Sequence, residues 1–424
     1  VITSFWILKP IKKSLFIEFY ETSGFDLFTW HLDGPQAELI AKVMNMVIAF
    51  IAVTVFTILA RTLRRQQLTY VFSGFFIISY LAYSLILDAP GDWTVWSFYF
   101  FGDLFSTVMV ATFFVFLNDS VNPDAAKRLY GLIGLGGTAG GAFGSMVVVS
   151  FIETLTKAEW LWLCTGVAVL IIILAMAAAR RLPAQQESAT EPDTTPEQAS
   201  GGNPALEGAK LALRSRYLLS VVAIVGLYEM VSTIMDFQFT SAVVYYLEGD
   251  AIGARIARVY MITNFVAMGV QLFLTSLVMT RYGVGTALLV LPCAALLGSA
   301  GFMIAPVLLI GSALNTCDNG FSYSINQSAK EVLYVPTTRD EKYKAKAFID
   351  MFVQRFAKAL AVGLSLIITI IFSGFESLRW LSLVTIVILF LWIKAVRYVG
   401  GQFQALDEEA KEKKEEQTEP EKVG

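Results

Sequence analysis

Eleven stretches of about twenty mostly apolar residues run through the sequence between Leu39 and Val399, each carrying few charges. A helix needs about 20 such residues to cross the hydrocarbon core of a bilayer. In the first half lie Leu39–Ala60, Leu68–Leu87, Thr94–Leu117, Leu129–Phe151 and Glu159–Ala179. In the second lie Leu218–Phe237, Ile256–Thr280, Val284–Ile304, Pro306–Ser324, Phe348–Phe372 and Leu378–Val399. An apolar start, Val1–Leu8, runs into Lys9 and reads as the second half of a truncated first span. No charged n-region or small-residue cleavage site precedes it, so a cleavable signal peptide is not expected. The total is about twelve spans in two sets of six.

Composition agrees. The 424 residues are 56% hydrophobic and 16% charged, with mean hydropathy +0.61. A soluble chain carries roughly 25% charged residues. A soluble enzyme and a disordered protein are thereby excluded. So is a nucleic-acid binder, because 32 Lys and Arg against 35 Asp and Glu leave no polybasic surface. One histidine and three distant cysteines cannot build the usual three- or four-ligand metal centre, and no cofactor is expected. Cys164, Cys293 and Cys317 lie in apolar runs and read as small hydrophobes.

Lys and Arg mark the cytoplasmic side of a membrane protein. Placing the termini inside puts Arg61, Arg64, Arg65, Lys127, Arg128, Arg180, Arg181, Arg214, Arg216, Arg281, Lys330, Arg339, Lys342 and Lys344 in inner loops. Only Lys157, Arg255, Arg258 and Arg379 fall in outer ones. Four segments follow: a six-helix half over 1–179, a flexible cytoplasmic linker over 180–216, a second six-helix half over 217–399, and a charged cytoplasmic tail over 400–424. The linker is rich in Pro, Ser, Thr and Glu, too polar to bury a core. The expected fold is all-α and integral to the membrane, major-facilitator-like, with two halves rocking about a central site.

Charges inside spans cost roughly 2.5–3.5 kcal/mol each on insertion scales and point to function. Lys9, Lys12 and Lys13 share one helix face at i,i+3 and i,i+4 spacing. They form either an anion-binding face or a positive girdle at a span end. Arg355 and Lys358 lie one turn apart and about ten residues inside the eleventh span, too deep to reach water easily. They contact an anion, or pair with Asp350 or Asp318. Asp103, Glu229 and Asp318 are partners of these bases, gates or proton carriers. Asp103 and Asp318 occupy matching places in their halves. Lys42, near an outer end, receives no site role. Gly136, Gly140 and Gly144 share a helix face and suit close helix packing; the run lacks the Gly-Lys-Ser/Thr ending of a phosphate loop.

With these residues in view, the chain resembles the ATP/ADP translocase (nucleotide transporter) family of plastids and intracellular bacteria, a distant relation of the major facilitators. ILKPIKKSLFI is similar to the family segment ILRDTKDVLVV, with Lys12 on its lysine and Pro10 and Lys13 replacing its acidic residues. FGDLFSTVMVATFF places Asp103 on a family glutamate, and GLYEMVSTIMDFQF places Glu229 on another. FLNDSVNPDAAKRLYGLIGLGG also matches a family stretch. The most specific segment, SYSINQSAKEVLYVPTTRDEKYKAKAFIDMFVQRFAKALA, puts Lys330, Lys346, Asp350 and Lys358 on matching positions. Two lysines that follow the family's seventh-span glutamate fall near Thr233 and Met235.

The resemblance implies nucleotide exchange, ATP for ADP, with Lys12, Asp103, Glu229 and Lys358 as lead residues. Lys9, Lys12, Lys13, Arg355 and Lys358 are the expected phosphate contacts; Asp103, Glu229, Asp318, Lys330 and Asp350 are the expected gating or ion-pair groups. The expected protein is a monomer in a bacterial inner (plasma) membrane with both termini cytoplasmic. Its partners are a nucleotide or other small anion and the lipid bilayer, without nucleic acid. Two other readings stay open: a major facilitator for another anionic metabolite, coupled to protons, and a non-transporting receptor. No ordered nucleophile and base suggests an enzyme, and His31 reads as a surface residue.

Overall fold

Backbone N–H and C=O groups find no partner in hydrocarbon, so an apolar chain that crosses it closes its hydrogen bonds within a helix. The computed structural model follows that rule over the residues it describes: 1–63, 65–120, 123–181, 204–335, 337, 345–372 and 374–418. Among them, nine helices are long and apolar enough to cross a membrane. One of these, Asp250–Ile304, runs for 55 residues and breaks at Gly283, where φ is +82°. Taking its two arms separately, and adding Ile2–Ser23 and the rod Leu308–Val332, gives the twelve expected spans.

The first compact unit comprises 1–197 with 243–264. Its described helices are α1 (Ile2–Ser23), α2 (Gly34–Thr62), α3 (Arg65–Ile86), α4 (Asp92–Ser120), α5 (Pro123–Phe151) and α6 (Lys157–Arg181). Between α1 and α2 lies a hairpin of β1 (Phe25–Leu27) and β2 (Trp30–Leu32), pairing Phe25 with Leu32. Gly24, at φ +63°, takes the left-handed conformation that turns α1 into it. A capping box closes the start of α2: the Gln36 N–H donates to Asp33 Oδ1, and the Asp33 N–H donates to Gln36 Oε1.

α1 is the central helix of this unit and packs on α2, α4, α5 and α6. Ile7, Leu8, Ile11, Leu15, Phe16 and Ile17 are all buried, and so are Lys12 and Lys13. The expectation that a span ends at Lys9 is therefore corrected. The helix runs on through Pro10 to Ser23, because the carboxylates of Asp103 and Glu38 neutralise lysines that would otherwise mark a membrane edge. Lipid tails are as apolar as leucine, so close contact rather than hydrophobic burial holds such helices together. Gly144 and Gly140 supply it: a methyl added at Gly144 would meet the Thr3 carbonyl oxygen at 2.7 Å, and one at Gly140 the Thr3 hydroxyl at 3.2 Å. Gly136, expected on the same packing face, has open space there.

The second unit comprises 198–242 with 265–424. Its helices, some reaching into the stretch assigned to the first, begin with a short α7 (Pro204–Arg214) and a long α8 (Arg216–Tyr246). Then come α9 (Asp250–Gly269), α10 (Thr275–Ile304), α11 (Leu308–Phe321), α12 (Gln327–Val332), α13 (Lys346–Phe348), α14 (Gln354–Ile371) and α15 (Ser377–Thr418). α10 packs on α15, where Gly285 lies so close that an added methyl would sit 3.2 Å from the Gly400 Cα. Three π-helical segments interrupt the rods: Val270–Leu274, Ser322–Asn326 and Ile349–Val353. Arg255 and Arg258, expected in an outer loop, lie within α9. Most of the expected linker, 182–203, lies outside the described residues, as do Arg339, Lys342 and Lys344.

Candidate functional site

In the first unit the three α1 lysines reach three different surroundings. Lys12, 5% exposed, forms an ion pair with Asp103 of α4. Its Nζ also donates to the Tyr99 carbonyl oxygen at 3.4 Å and lies 4.3 Å from the centre of the Tyr99 ring. Gly102 makes room for its stem, because a methyl there would meet Lys12 Cδ at 2.6 Å. Asn45 Nδ2 of α2 donates to the other Asp103 oxygen at 2.9 Å. Lys13 turns towards Glu38 of α2, with Nζ 3.3 Å from Oε1. Lys9 Nζ lies over aromatic faces, 4.6 Å from Trp6 and 4.7 Å from Tyr260, where a ring's negative face attracts a cation.

In the second unit Lys358 of α14 stands 3.8 Å from Glu229 of α8, and the lysine side chain is 41% exposed. Asp318 of α11, 2% exposed, accepts a hydrogen bond from the Ser232 hydroxyl at 2.6 Å. Asp236 accepts from Asn315 Nδ2 at 3.0 Å. Asp350 lies in the π-helical segment ahead of α14 and accepts from Gln354 Nε2 at 3.2 Å; Lys330, Lys346 and Glu331 are among its charged neighbours. Lys330 is buried at the end of α12, and Arg355 lies one helical turn before Lys358. Beside Lys330, Lys346 pairs with Glu331 and stands over the Tyr334 ring at 5.5 Å. Burial, with Asp350 and Glu331 nearby, raises the Tyr334 hydroxyl well above its ordinary range, so it stays protonated.

Four contributors escape the sequence reading: Glu38, Asn45, Tyr99 and Ser232. Glu38 carried a faint signal, a carboxylate four residues before Lys42 near the start of a span, and the two are 3.5 Å apart. Asn45, Tyr99 and Ser232 had none, because a polar neutral residue in an apolar run is common. Chemically, each unit holds a lysine against a carboxylate. Phosphate oxygens are charged acceptors and can take over such donors.

The pattern of the family described as TLC ATP/ADP transporter matches residues 86–308 and 295–403. The plastidic ATP/ADP-transporter of Solanum tuberosum is 22% identical over 351 residues, covering 76% of this chain and 56% of that protein. ADP,ATP carrier protein 1 of Rickettsia bellii (strain RML369-C) is 21% identical over 425 residues, covering 84% of each. The chain thus spans little more than half the length of the plastid relative. Among solved structures, the nucleoside transporter NupG superposes with TM-score 0.58 at 12% identity, over 93% of this chain and 98% of that one. The Major Facilitator Superfamily transporter FucP gives 0.51 at 14% identity, over 94% and 97%. At these identities the structural likeness shows the fold, and that fold is major-facilitator-like.

Proposed function

The chain belongs to the TLC ATP/ADP transporter family, and from that premise we propose that it exchanges nucleotides, ATP for ADP, across a membrane by alternating access. One observation carries the reading: each unit holds a lysine on an intramembrane carboxylate, Lys12 on Asp103 and Lys358 on Glu229. Without a ligand, each base is neutralised by its own acid. An arriving phosphate tail displaces the carboxylate and takes the lysine, and departure of the tail restores the pair. Lys9, Lys13 and Arg355 add positive charge for the same tail. Asp318, Lys330 and Asp350 act as gating or ion-pair groups.

The working halves on this reading are 1–179 and 217–399, joined by 180–216 and followed by the tail 400–424. The excess of Lys and Arg in loops assigned to the inner side supports cytoplasmic termini. The bacterial relatives support a bacterial membrane location, and on this reading the protein works as a monomer in the inner membrane.

Vesicles containing the protein and loaded with ADP take up labelled ATP if the reading holds. Lys12→Ala or Lys358→Ala then lowers the initial rate about tenfold or more, the loss expected for a charged hydrogen bond. Uptake unaffected by both substitutions removes the site assignment.

A second reading is favoured by Thr233 and Met235, where the family resemblance has lysines. Thr233 donates to the Glu229 carbonyl oxygen of its own helix at 2.7 Å. Fewer bases suit a smaller phosphorylated or carboxylated anion. Stabilisation by such an anion and none by nucleotides, in a thermal-shift screen, selects it.

A further inference from the structure

Glu38 stands near the start of α2 and is 2% exposed. Its Oε1 meets three donors: Lys13 Nζ at 3.3 Å, Lys42 Nζ at 3.5 Å and the Tyr99 hydroxyl at 3.1 Å. Tyr99 continues the arrangement, since its carbonyl oxygen accepts from Lys12 and its ring lies under the same ammonium. Lys12 holds Asp103, and both Glu38 and Lys9 lie within its electrostatic reach. α1, α2 and α4 therefore bring Lys9, Lys12, Lys13 and Lys42 together with Glu38 and Asp103, four bases and two acids. Glu38 neutralises the buried Lys13, and its charge also counts against the positive field of the other three lysines.

We propose that Glu38 is a specificity-determining residue: it withdraws one positive charge from the lysine cluster and so sets how much negative charge the bound anion carries. The inference rests on the anion-binding reading above and deepens it. A nucleoside diphosphate and a triphosphate differ by about one charge, the amount that Glu38 contributes. The energy between a fixed charge and a ligand is proportional to the ligand's charge. Removing the Glu38 charge therefore strengthens binding most for the most highly charged anion. At an effective dielectric of about 20 and a separation of about 12 Å, the gain is roughly tenfold for each ligand charge. A change in packing or fold would move all anions alike.

The experiment titrates the purified full chain with orthophosphate, pyrophosphate and tripolyphosphate and compares affinities. Glu38→Gln is expected to strengthen binding in charge order, with the tripolyphosphate gain exceeding the orthophosphate gain by about tenfold or more. Glu38→Asp keeps the charge and the original ratios. The double variant Lys13→Gln with Glu38→Gln restores the net charge and returns the ratios to the original. If Glu38→Gln alone does not fold, Lys13→Gln alone decides, and its ratios must flatten. Equal gains for all three anions, unchanged ratios, or binding of none by either protein overturn the proposal. Exchange of ATP for ADP by wild-type vesicles is measured separately. Ratios that respond to Glu38 without nucleotide exchange keep the charge rule and remove the nucleotide reading.

Discussion

Asp103 and Asp318 each lie on the fourth membrane rod of their own half, and each bonds to the first rod of that half. On the first rod Asp103 meets a lysine, Lys12 of α1, and Asp318 a hydroxyl, Ser232 of α8. The backbone arrangement repeats and the chemistry does not. In the first half, base and acid neutralise each other in a contact where the base, Lys12, is 5% exposed and the acid, Asp103, 29%. In the second, the acid accepts from a neutral donor, the Ser232 hydroxyl. The base, Lys358, stands 3.8 Å from a different acid and is 41% exposed. A buried ion pair is costly to open, since either partner left alone has lost both water and counter-charge. A looser and more exposed pair opens easily. The same contact thus gives a firm lock in one half and a hydrogen-bonded joint in the other, with a readily released base beside it.

The sharpest break of this comparison is Asp103→Ala. It strands the Lys12 ammonium, and the unfolding free energy should fall by about 3–5 kcal/mol. The thermal midpoint in detergent checks it; a loss below about 1 kcal/mol would show that Lys12 does not depend on Asp103. Next is Ser232→Ala, which takes a hydroxyl from the buried Asp318. About 1–3 kcal/mol should be lost on the same measurement. A loss as large as that of Asp103→Ala would erase the contrast between lock and joint. Smallest is Glu229→Gln. Exposure of Lys358 screens the pair, so stability should change by no more than about 1 kcal/mol. A larger loss would make the second-half pair as firm as the first.

The two halves also differ in regularity. All three described π-helical segments belong to the second. Such bulges are rare and concentrate at functional sites. One carries Asp350 and leads straight into the helix of Arg355 and Lys358. Hydropathy is silent about this, since an extra residue in one helical turn leaves the apolar run unchanged.

How far the sequence was legible differs from element to element. The apolar runs gave the spans, and matching segments gave the family. Lys12 and Asp103 were legible as charges in lipid, and Glu229 and Lys358 likewise. The extent of α1 was not legible, because Lys9, Lys12 and Lys13 read as a membrane edge until Glu38 and Asp103 neutralise two of them. Lys42 read as a span-end charge and instead joins Lys13 on Glu38. The hairpin over Phe25–Leu32 was hidden too, since two strands of three residues are shorter than any periodic pattern can resolve.

The sequence by itself determined that this chain is a bundle of membrane helices. Hydrocarbon offers no hydrogen-bond partner, so each apolar run of sufficient length must close its bonds within itself, and composition alone decides that. It also determined which charges enter the bundle. Only the tertiary structure decided which charge meets which. Lys12 and Tyr99 are 87 positions apart in the chain, and their contact exists because α1 and α4 pack face to face. A local pattern carries the cost of placing a charge in lipid; the partner that offsets it belongs to another helix.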